Sequence, residues 1–400
     1  MTGGTSGLPF LDVADPDFSV RSGAVRAARE QSAYARTPYG LAVLRYDAVS
    51  RIIKDRRLSQ GSAAWPDHVG VTGPWAEWWR GGILNREGDD HARLRRLMNP
   101  AFSNKLVTAL VPRFQALANE LIDGFSDRGR CEFMREFAEP YATRVAAWLL
   151  GTPEEEWRTL AGWSEKLGLG LAVTAREHVT EMEEGLAGMF GYADAVIADR
   201  RARPQADFVT SLVQASEDND RLSDQELRDN IVLLIFGGID TTRNQLGLAI
   251  DLFIRHPEQW RLLAEQPGLA AKAVEEVMRV RPTVTWTTRE AIEDFEFDGI
   301  PIAKGTTIHL FSESSGTDPE VVTGNPGFDI AAEGRPRHFG FGGGRHFCIG
   351  HFIARGDMGE ALALLARRMP NVRFDGEATF LPDSGNTGPI VLPVAFDAGH

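Results

Sequence analysis

The feature that most constrains this chain is a long helical stretch, "QELRDNIVLLIFGGIDTTRNQLGLAIDLFIRH", which runs from Gln225 to His256. Its periodicity predicts a single helix, and the middle of that helix is apolar on every side rather than on one face. Because such a helix has no face that suits water, the rest of the chain must enclose it. Apolar residues at helical spacing predict further helices in Leu106–Phe125, "YATRVAAWLLG" and "EEVMRVR".

Strand-like segments are few and short, namely "GLAVLRY", "FEFDGIPIAKGTTIHLF" and "PIVLPVAF". The second of these predicts a hairpin around a Gly-Ile-Pro corner. The sequence therefore predicts a mainly α fold with a minor β-sheet region. We find no repeat, low-complexity segment or linker, so we expect one domain over residues 1–400, with residues 1–20 as an extended N-terminal segment.

Composition excludes several classes of protein. The net charge of −13 argues against binding to nucleic acid or to an anionic membrane surface. No run of apolar residues is long enough to predict a membrane span, and the first residues do not have the pattern of a secretory signal. Two cysteines cannot form a disulfide framework. We expect a cytoplasmic monomer without nucleic-acid or membrane partners.

The segment "FGFGGGRHFCIG", from Phe339 to Gly350, places five glycines around Cys348. Helical spacing resumes after Cys348, so the cysteine lies just ahead of a helix N-terminus, whose dipole favours a thiolate. The glycines allow the backbone to pass close to a flat group, and Phe341 and Phe347 supply apolar cover. A buried thiolate that faces a planar group is what an axial haem ligand requires.

Three other interpretations of this loop remain open at this point. A glycine-rich loop before a helix can bind phosphate, although this one lacks both the Gly-Lys-Ser/Thr ending and the G-x-G-x-x-G spacing. Cys348 could join His338, His346 and His351 in a zinc site, although the spacing is not that of a known zinc finger. Cys348 could also be an inert core residue.

The loop resembles the haem loop of the cytochrome P450 family, F-G-x-G-x-H-x-C-x-G, in its bacterial soluble haem-thiolate monooxygenases. Every fixed place of that pattern matches between Phe341 and Gly350. The resemblance implies heme b (iron protoporphyrin IX) as the cofactor, Cys348 as the iron ligand and His346 as a partner of a haem propionate. It also implies that five residues border the haem: Phe341, Gly342, Gly344, Gly350 and, from the long helix, Gly237.

Two further motifs follow the family's order. Glu276-x-x-Arg279 can pair on one helix face; most such pairs are exposed, but in the family this pair is buried and supports the cysteine loop. "GGIDTT" places Asp240 and Thr241 inside the apolar helix, where polar groups are costly unless they are used. A tight helix crossing with a back-bonded threonine would also explain that pattern. The resemblance instead implies that Thr241 steadies dioxygen and Asp240 feeds a proton relay.

Cationic side chains complete the resemblance. His91 and Arg95 match the family's H-x-x-x-R, and Arg289 matches its other propionate arginine, which precedes the hairpin. The sequence departs from the family at Gly327, where an arginine is usual. The third partner of Glu276 and Arg279 is therefore expected to be Arg335 or Arg337. His351 replaces the common alanine after Gly350.

The family resemblance implies a haem-thiolate monooxygenase that uses dioxygen to oxidise a small organic metabolite. Hydroxylation of an aromatic or polycyclic compound, in secondary metabolism or catabolism, is the expected reaction. The chain has no flavin or iron–sulfur motif, so no reductase is fused to it, and the resemblance implies ferredoxin and ferredoxin reductase as electron donors. Four arginines are expected to dock an acidic partner: Arg93, Arg96, Arg345 and Arg355.

Six side chains are predicted to line the substrate pocket: Leu233, Phe236, Val284, Thr285, Trp286 and Thr287. The first two share a helix face with Gly237 and Thr241, and the other four precede Arg289 where the family faces the haem. The segment Gly61–Gly82 holds four of the nine tryptophans. Its tryptophans could contact substrate or could anchor packing.

Other functions also fit parts of this sequence. The same haem could nitrate an aromatic amino acid with nitric oxide and dioxygen, or could work as a peroxide-driven peroxygenase, although the intact acid–threonine pair argues against the latter. The substrate could be free or could be tethered to a carrier protein. A non-catalytic haem-binding sensor and a zinc-binding structural protein are the alternatives from other classes.

Overall fold

The computed structural model describes residues 7–152, 154–205, 207–217, 222–322 and 327–398. These residues form fifteen α-helices: α1 Gly23–Gln31, α2 Tyr46–Ile52, α3 Trp65–His68, α4 Pro74–Gly81, α5 Gly88–Met98, α6 Asn104–Asp123, α7 Glu139–Leu150, α8 Trp157–Gly168, α9 Val179–Ala202, α10 Phe208–Glu217, α11 Asp224–Arg255, α12 Pro257–Glu265, α13 Ala270–Val280, α14 Ser312–Gly316 and α15 His351–Arg368. The predicted mainly α fold with a minor sheet region is therefore confirmed. No helix among the described residues is long and apolar enough to cross a membrane.

The same residues form twelve short strands: β1 Tyr34–Thr37, β2 Gly40–Val43, β3 Leu58–Gln60, β4 Arg130–Glu132, β5 Trp286–Ala291, β6 Phe295–Phe297, β7 Ile300–Ile302, β8 Thr307–Phe311, β9 Arg373–Phe374, β10 Thr379–Phe380, β11 Pro389–Val391 and β12 Pro393–Ala395. Five of them make one sheet in the order β1-β2-β8-β5-β3. Only β2 and β8 pair in parallel within that sheet. The remaining strands form a β4-β12-β9 sheet and the pairs β10-β11 and β6-β7.

The predicted hairpin is present as β6 and β7, with Phe295 opposite Ile302. The turn begins one residue earlier than the predicted Gly-Ile-Pro corner, because it is formed by Asp298 and Gly299, while Ile300 and Pro301 belong to β7. Both turn residues have positive φ, at 51° and 79°, as the tight turn of a two-residue hairpin requires. The segment "PIVLPVAF" also differs from the prediction, since it divides into β11 and β12, which belong to different sheets.

The ends of the chain are described only in part. From Gly7 to Ser22 the chain has turns and an isolated bridge between Phe10 and Arg36, and α1 begins at Gly23. Residues 1–6 of the expected N-terminal segment lie outside the described residues. That residues 1–400 form one domain stays a prediction.

The long helix α11 is the element around which the others pack. It begins with a capping box, in which the Ser223 hydroxyl accepts from the Glu226 N–H and the Glu226 carboxylate accepts from the Ser223 N–H. Every residue from Asn244 to Phe253 is buried, so the expected burial on all sides holds for this part of the helix, whereas Leu233 and Leu234 are half-buried and Gly237 is exposed. Its 32 residues span about 48 Å at the usual helical rise.

Two apolar cores meet along α11. Its first half, from Leu227 to Ile239, packs with α4, α8, α9 and α10, whereas its last part, from Leu246 to Phe253, packs with α6, α7, α13 and α15. The polar stretch between them, from Asp240 to Gln245, lies where the two cores adjoin. The residues at the centre of α11 thus belong to neither apolar core.

The Glu276–Arg279 pair is buried in α13, with both side chains at most 4% exposed. Arg279 donates to both carboxylate oxygens of Glu276 at 2.6 and 2.7 Å, and to the Gly316 and Gly327 carbonyls. Arg335 is the third partner, at 3.3 Å from Glu276. Arg337 is not, because its guanidinium lies 4.4 Å from the Phe347 ring. Arg335 therefore supplies the second cation at Glu276.

We expect Arg279→Met to lower the free energy of unfolding by about 3–5 kcal/mol, because it leaves the Glu276 carboxylate buried with one cation at a longer distance. The matched control is Lys166→Met, which removes a 2.7 Å pair with Glu184 whose side chains are 41% and 60% exposed. That change should cost less than about 1 kcal/mol. Denaturant titration measures both, and equal losses would contradict the structural role of the buried pair.

Candidate active site

A cavity of about 340 Å³ lies between the centre of α11 and the cysteine loop, and it is lined mainly by apolar side chains. Its lining includes thirteen of the residues predicted for the site: His91, Arg95, Leu233, Gly237, Thr241, Val284, Thr287, Arg289, Phe341, Gly342, His346, Cys348 and Gly350. The size is in the range of small-molecule sites. Five predicted site residues are not among the lining residues: Phe236, Asp240, Thr285, Trp286 and Gly344.

Cys348 lies three residues before α15, and its thiol borders the cavity. Burial raises the pKa of this thiol, while the backbone N–H groups of Gly350 and His351 and the cations Arg95 and Arg355 act in the opposite direction. The pKa of Cys348 is therefore raised overall, whereas a helix N-terminus was expected to lower it, because removal from water outweighs the loop's dipoles. A coordinated metal would deprotonate the thiol outright.

Some glycines of the cysteine loop allow it to pack closely against Ile53, which is not among the residues that line the cavity. A Cβ at Gly343 would meet the Ile53 side chain at 2.6 Å, and one at Gly344 would meet the Ile53 carbonyl at 2.7 Å. Gly342 and Gly344 both have φ of +67°, which favours glycine. Gly344 therefore contacts the residue after α2, and it is not among the residues that line the cavity, contrary to the prediction. Within the loop, the Cys348 N–H donates to the Phe341 carbonyl.

Four cationic or imidazole side chains from three segments meet at one edge of the cavity. Arg289 is buried and donates to Gln60 and to the Gly343 carbonyl; burial lowers its pKa to about 10, so it stays charged. Arg95 donates to the Phe347 carbonyl at 3.0 Å. The rings of His91 and His346 lie 4.1 Å apart. Burial and the neighbouring His346 lower the pKa of His91 to about 4, so His91 is neutral near pH 7.

The same edge contains a carboxylate that the sequence analysis did not single out. Glu87 accepts from the His346 ring at 2.9 Å and from the Arg345 guanidinium at 3.1 Å. Burial alone would raise the pKa of Glu87, but the hydrogen bonds from His346 and from the Gln60 N–H outweigh it and lower the pKa to about 2. The predicted hydrogen bond from His346 to a haem propionate would therefore compete with the hydrogen bond from His346 to Glu87.

The acid and the threonine of α11 lie on different sides of the helix. The Thr241 hydroxyl lines the cavity and donates to the Gly237 carbonyl at 2.5 Å. Asp240 is 7% exposed, and its carboxylate accepts from the Asn244 amide at 3.3 Å and from the Asn386 amide. Gly238 lies against Ala146 of α7, whereas Gly237 has open space where a side chain would be. Both glycines line the cavity, and Gly238 also allows the close approach of α7.

Three predicted pocket residues point elsewhere. Phe236 packs against the Trp78 ring, because on a helix that is apolar all round a spacing of three does not identify the face that borders the cavity. Trp286 stacks on Phe311, since alternation along β5 places Thr287 and Arg289 on the cavity face and Trp286 on the opposite one. The Thr285 hydroxyl is bonded to the Gly385 carbonyl.

The tryptophans of Gly61–Gly82 are packing anchors. Trp75 and Trp79 stack with ring centres 5.4 Å apart, and the side chains of Trp75, Trp78 and Trp79 are buried. The indole N–H groups of Trp65, Trp78 and Trp79 donate to backbone carbonyls at 2.8–3.1 Å. None of these rings is among the residues that line the cavity. The apolar residues that follow them, Ile83 and Leu84, line the cavity instead. Their position directly after the Gly81-Gly82 pair that ends α4 is a signal that could have identified them.

Comparison with known proteins places this site in a family. The family model "Cytochrome P450" matches residues 171–267 and 259–369. The chain belongs to the cytochrome P450 family and is an oxidoreductase of the monooxygenase type, with haem b as its cofactor.

Curated relatives and a solved structure cover almost the whole chain. It is 38% identical to luteothin monooxygenase of Streptomyces thioluteus over 98% of this chain and 97% of that protein. It is 32% identical to mycinamicin IV hydroxylase/epoxidase of Micromonospora griseorubida, over 97% and 98%. The crystal structure of CalO2 superposes with a TM-score of 0.88 at 28% identity, over 98% of this chain and 99% of that one.

The residues at the cavity fit haem b on independent grounds. A thiol borders the apolar space, two buried or half-buried arginines lie at one edge where carboxylates would need cations, and Gly237 leaves open space above the loop. The described residues contain no cluster of three or more His, Cys, Asp or Glu that could hold a separate metal ion. His338, His346, Cys348 and His351, the candidates for a zinc site, do not form such a cluster in the described part of the chain.

We expect the stability of the protein to depend on the protonation of Asp240. Burial raises the pKa of Asp240 from 3.8 to about 6, so the folded state keeps this proton to higher pH than the unfolded state does. The wild-type protein should therefore lose up to about 3 kcal/mol relative to Asp240→Asn as pH rises from about 4 to 7. Denaturant unfolding of both proteins across that window measures the difference, and a difference that does not vary with pH would contradict the shift.

Proposed function

We propose that this monooxygenase hydroxylates an apolar secondary metabolite of aromatic or polycyclic type. The observation that carries the proposal is that the Cys348 thiol, the Thr241 hydroxyl and a mainly apolar lining all border one cavity. When bound there, haem b supplies the activation of dioxygen, for which thiolate ligation favours O–O cleavage. The protein then binds the substrate, orients it and excludes water.

The proposed cofactor contacts follow from the positions of the side chains. Cys348 ligates the iron, and Gly342, Gly350 and Phe341 provide the surface on the same side. Arg95 and Arg289 hold the propionates, since the arginine fork suits carboxylates. His91 and His346 are the other candidates at that edge.

The proposed catalytic groups are Thr241 and Asp240. Thr241 is one of three polar residues of α11 that line the cavity, with Thr242 and Gln245, and it lies one turn from the open space at Gly237. The Asp240 carboxyl has a pKa of about 6, so it can take up and release a proton near neutral pH. In this proposal Asp240 moves protons from behind the helix to the side that Thr241 faces.

The proposed substrate class rests on the lining and on the relatives. Ile83, Leu84, Leu233 and Val284 are apolar, and Thr287 adds a hydroxyl. The most similar relatives described above are a luteothin monooxygenase and a mycinamicin hydroxylase/epoxidase. A mostly apolar pocket with few hydroxyls suits a sparsely oxygenated metabolite better than a charged one.

The proposed electron donors are a separate ferredoxin and its reductase. Of the arginines predicted to dock them, Arg345 keeps 47% of its side chain exposed while it pairs with Glu87. Arg355 is held by Glu275 and by His351, and Arg93 pairs with Glu226. Arg345 is therefore the first of these positions to test for docking.

We expect the reduced protein under carbon monoxide to show the far red-shifted Soret band of thiolate-ligated ferrous haem, and Cys348→Ala to lose it. The matched control is Cys131→Ala, which removes the other cysteine, a buried residue of β4 outside the cavity lining. That variant should keep the band. An unshifted band in the fresh wild-type protein would contradict the proposed ligand.

We expect Gly237→Val to weaken substrate binding roughly tenfold or more, because its branched side chain would occupy the open space in the cavity. The measurement is the substrate-induced spin-state shift, with the apolar aromatic or polycyclic compound that gives the largest shift in the wild-type protein. Gly191→Val is the control, since Gly191 of α9 is exposed and also has open space. Unchanged binding in a Gly237→Val protein with full haem content would place the substrate elsewhere.

A further inference from the structure

Asp240 is held by two amides rather than by a cation. The Asn244 amide on the same helix donates to Oδ1 at 3.3 Å, and the Asn386 amide donates to Oδ2. Arg243 is the nearest cation, but it donates to the Asn244 oxygen at 3.2 Å and its Nε lies 3.7 Å from Glu139 of α7. A neutral donor therefore makes the closest contact with this carboxylate.

Asn386 reaches α11 from a loop near the C-terminus, 146 residues further along the chain. The Thr283 hydroxyl lies 2.9 Å from the Asn386 oxygen and 2.6 Å from the Thr387 carbonyl, so its single proton is shared between these two acceptors of the loop. The Asn386 oxygen faces Thr283, and the N–H₂ of the same amide faces Asp240. The loop is closed by the Leu381 N–H bond to the Gly388 carbonyl at 2.9 Å. A second bond, from the Thr387 N–H to the Thr283 carbonyl at 2.9 Å, fixes it to the segment before β5.

The segment before β5 also borders the cavity. Val284 lines the cavity, and it forms a β-bridge with Asn386. The loop therefore contacts the substrate wall with its backbone and the buried acid with its side chain. No other described side chain makes a hydrogen bond to Oδ2 of Asp240.

We propose that Asn386 is a positioning residue, which holds the Asp240 carboxylate in one orientation and so sets the proton delivery of the oxidation reaction. The inference rests on the proposed role of Asp240. It adds that the loop of residues 381–388, and not α11 alone, controls that group.

The electrostatic surroundings of Asp240 give the direction of the expected effect. Burial raises the pKa of its carboxyl, whereas Arg243 and the two amides lower it, and Glu165 of α8 raises it slightly. Removal of the Asn386 amide takes away a donor that favours the charged form. The pKa of Asp240 should therefore rise when Asn386 is replaced by an apolar residue.

The test compares Asn386→Leu with Ser384→Ala in the haem-loaded enzyme. Ser384 is on the same loop, and its hydroxyl has no hydrogen-bond partner among the described residues, so its variant should behave as the wild type. Infrared titration follows the protonated carboxyl band of Asp240, which is assigned by its loss in Asp240→Asn. We expect Asn386→Leu to raise the midpoint by about one pH unit.

Two kinetic readouts accompany the titration. The acid limb of the pH–rate profile should shift upward by the same amount, and the fraction of consumed dioxygen that appears in product should fall. If Asn386→Leu does not fold, Thr283→Val removes the anchor of the amide and should give a smaller shift in the same direction. A midpoint unchanged in a folded Asn386→Leu or Thr283→Val protein would overturn the proposal.

The failure of the proposed function would look different. If Asp240→Asn kept full product formation while the infrared midpoint still moved in Asn386→Leu, the amide would position Asp240 but Asp240 would not deliver protons. If the midpoint moved equally in Ser384→Ala, the effect would come from loop packing and the assignment to Asn386 would be overturned.

Discussion

Burial of α11 on all sides is the constraint on which the rest of the structure depends. Because no side of its C-terminal half tolerates water, α6, α7, α13 and α15 must cover that half, and α4, α8, α9 and α10 cover the other. The polar groups at its centre are then largely removed from water. They must find partners within the protein or border a cavity, and both outcomes occur, for Asp240 and Thr241 respectively.

The sequence predicted the parts of the site that depend on local rules. Cys348 before a helix and His91 one turn from Arg95 are placed by spacing of a few residues, and all three border the cavity. The buried Glu276–Arg279 pair is local in the same sense. Helical content follows from periodicity, so the mainly α fold could be predicted with few errors beyond the hairpin corner and the division of β11 from β12.

The points that spacing along the sequence could not decide depend on orientation or on distant packing. Periodicity along α11 could not separate Phe236 from Leu233, because apolar residues occur on every face of that helix. In β5 the alternation was visible in the sequence, but its phase depends on pairing with β3, where Gln60 is opposite Arg289. The third partner of Glu276 came from Arg335, 59 residues away, and spacing alone could not choose it over Arg337.

The partner of Asp240 shows most clearly why such contacts escape sequence analysis. An arginine beside a buried carboxylate would fix it in the charged form, since buried opposite charges lower the pKa by more than a neutral donor does. Here burial raises the pKa of Asp240 to about 6, and Arg243 and the two amides, which act in the opposite direction, do not outweigh it. Asparagine in a loop ordinarily indicates a turn, so its chemical role at Asn386 becomes visible only when the loop is placed against α11. Burial, with an amide rather than a cation in direct contact, therefore keeps this acid able to exchange its proton.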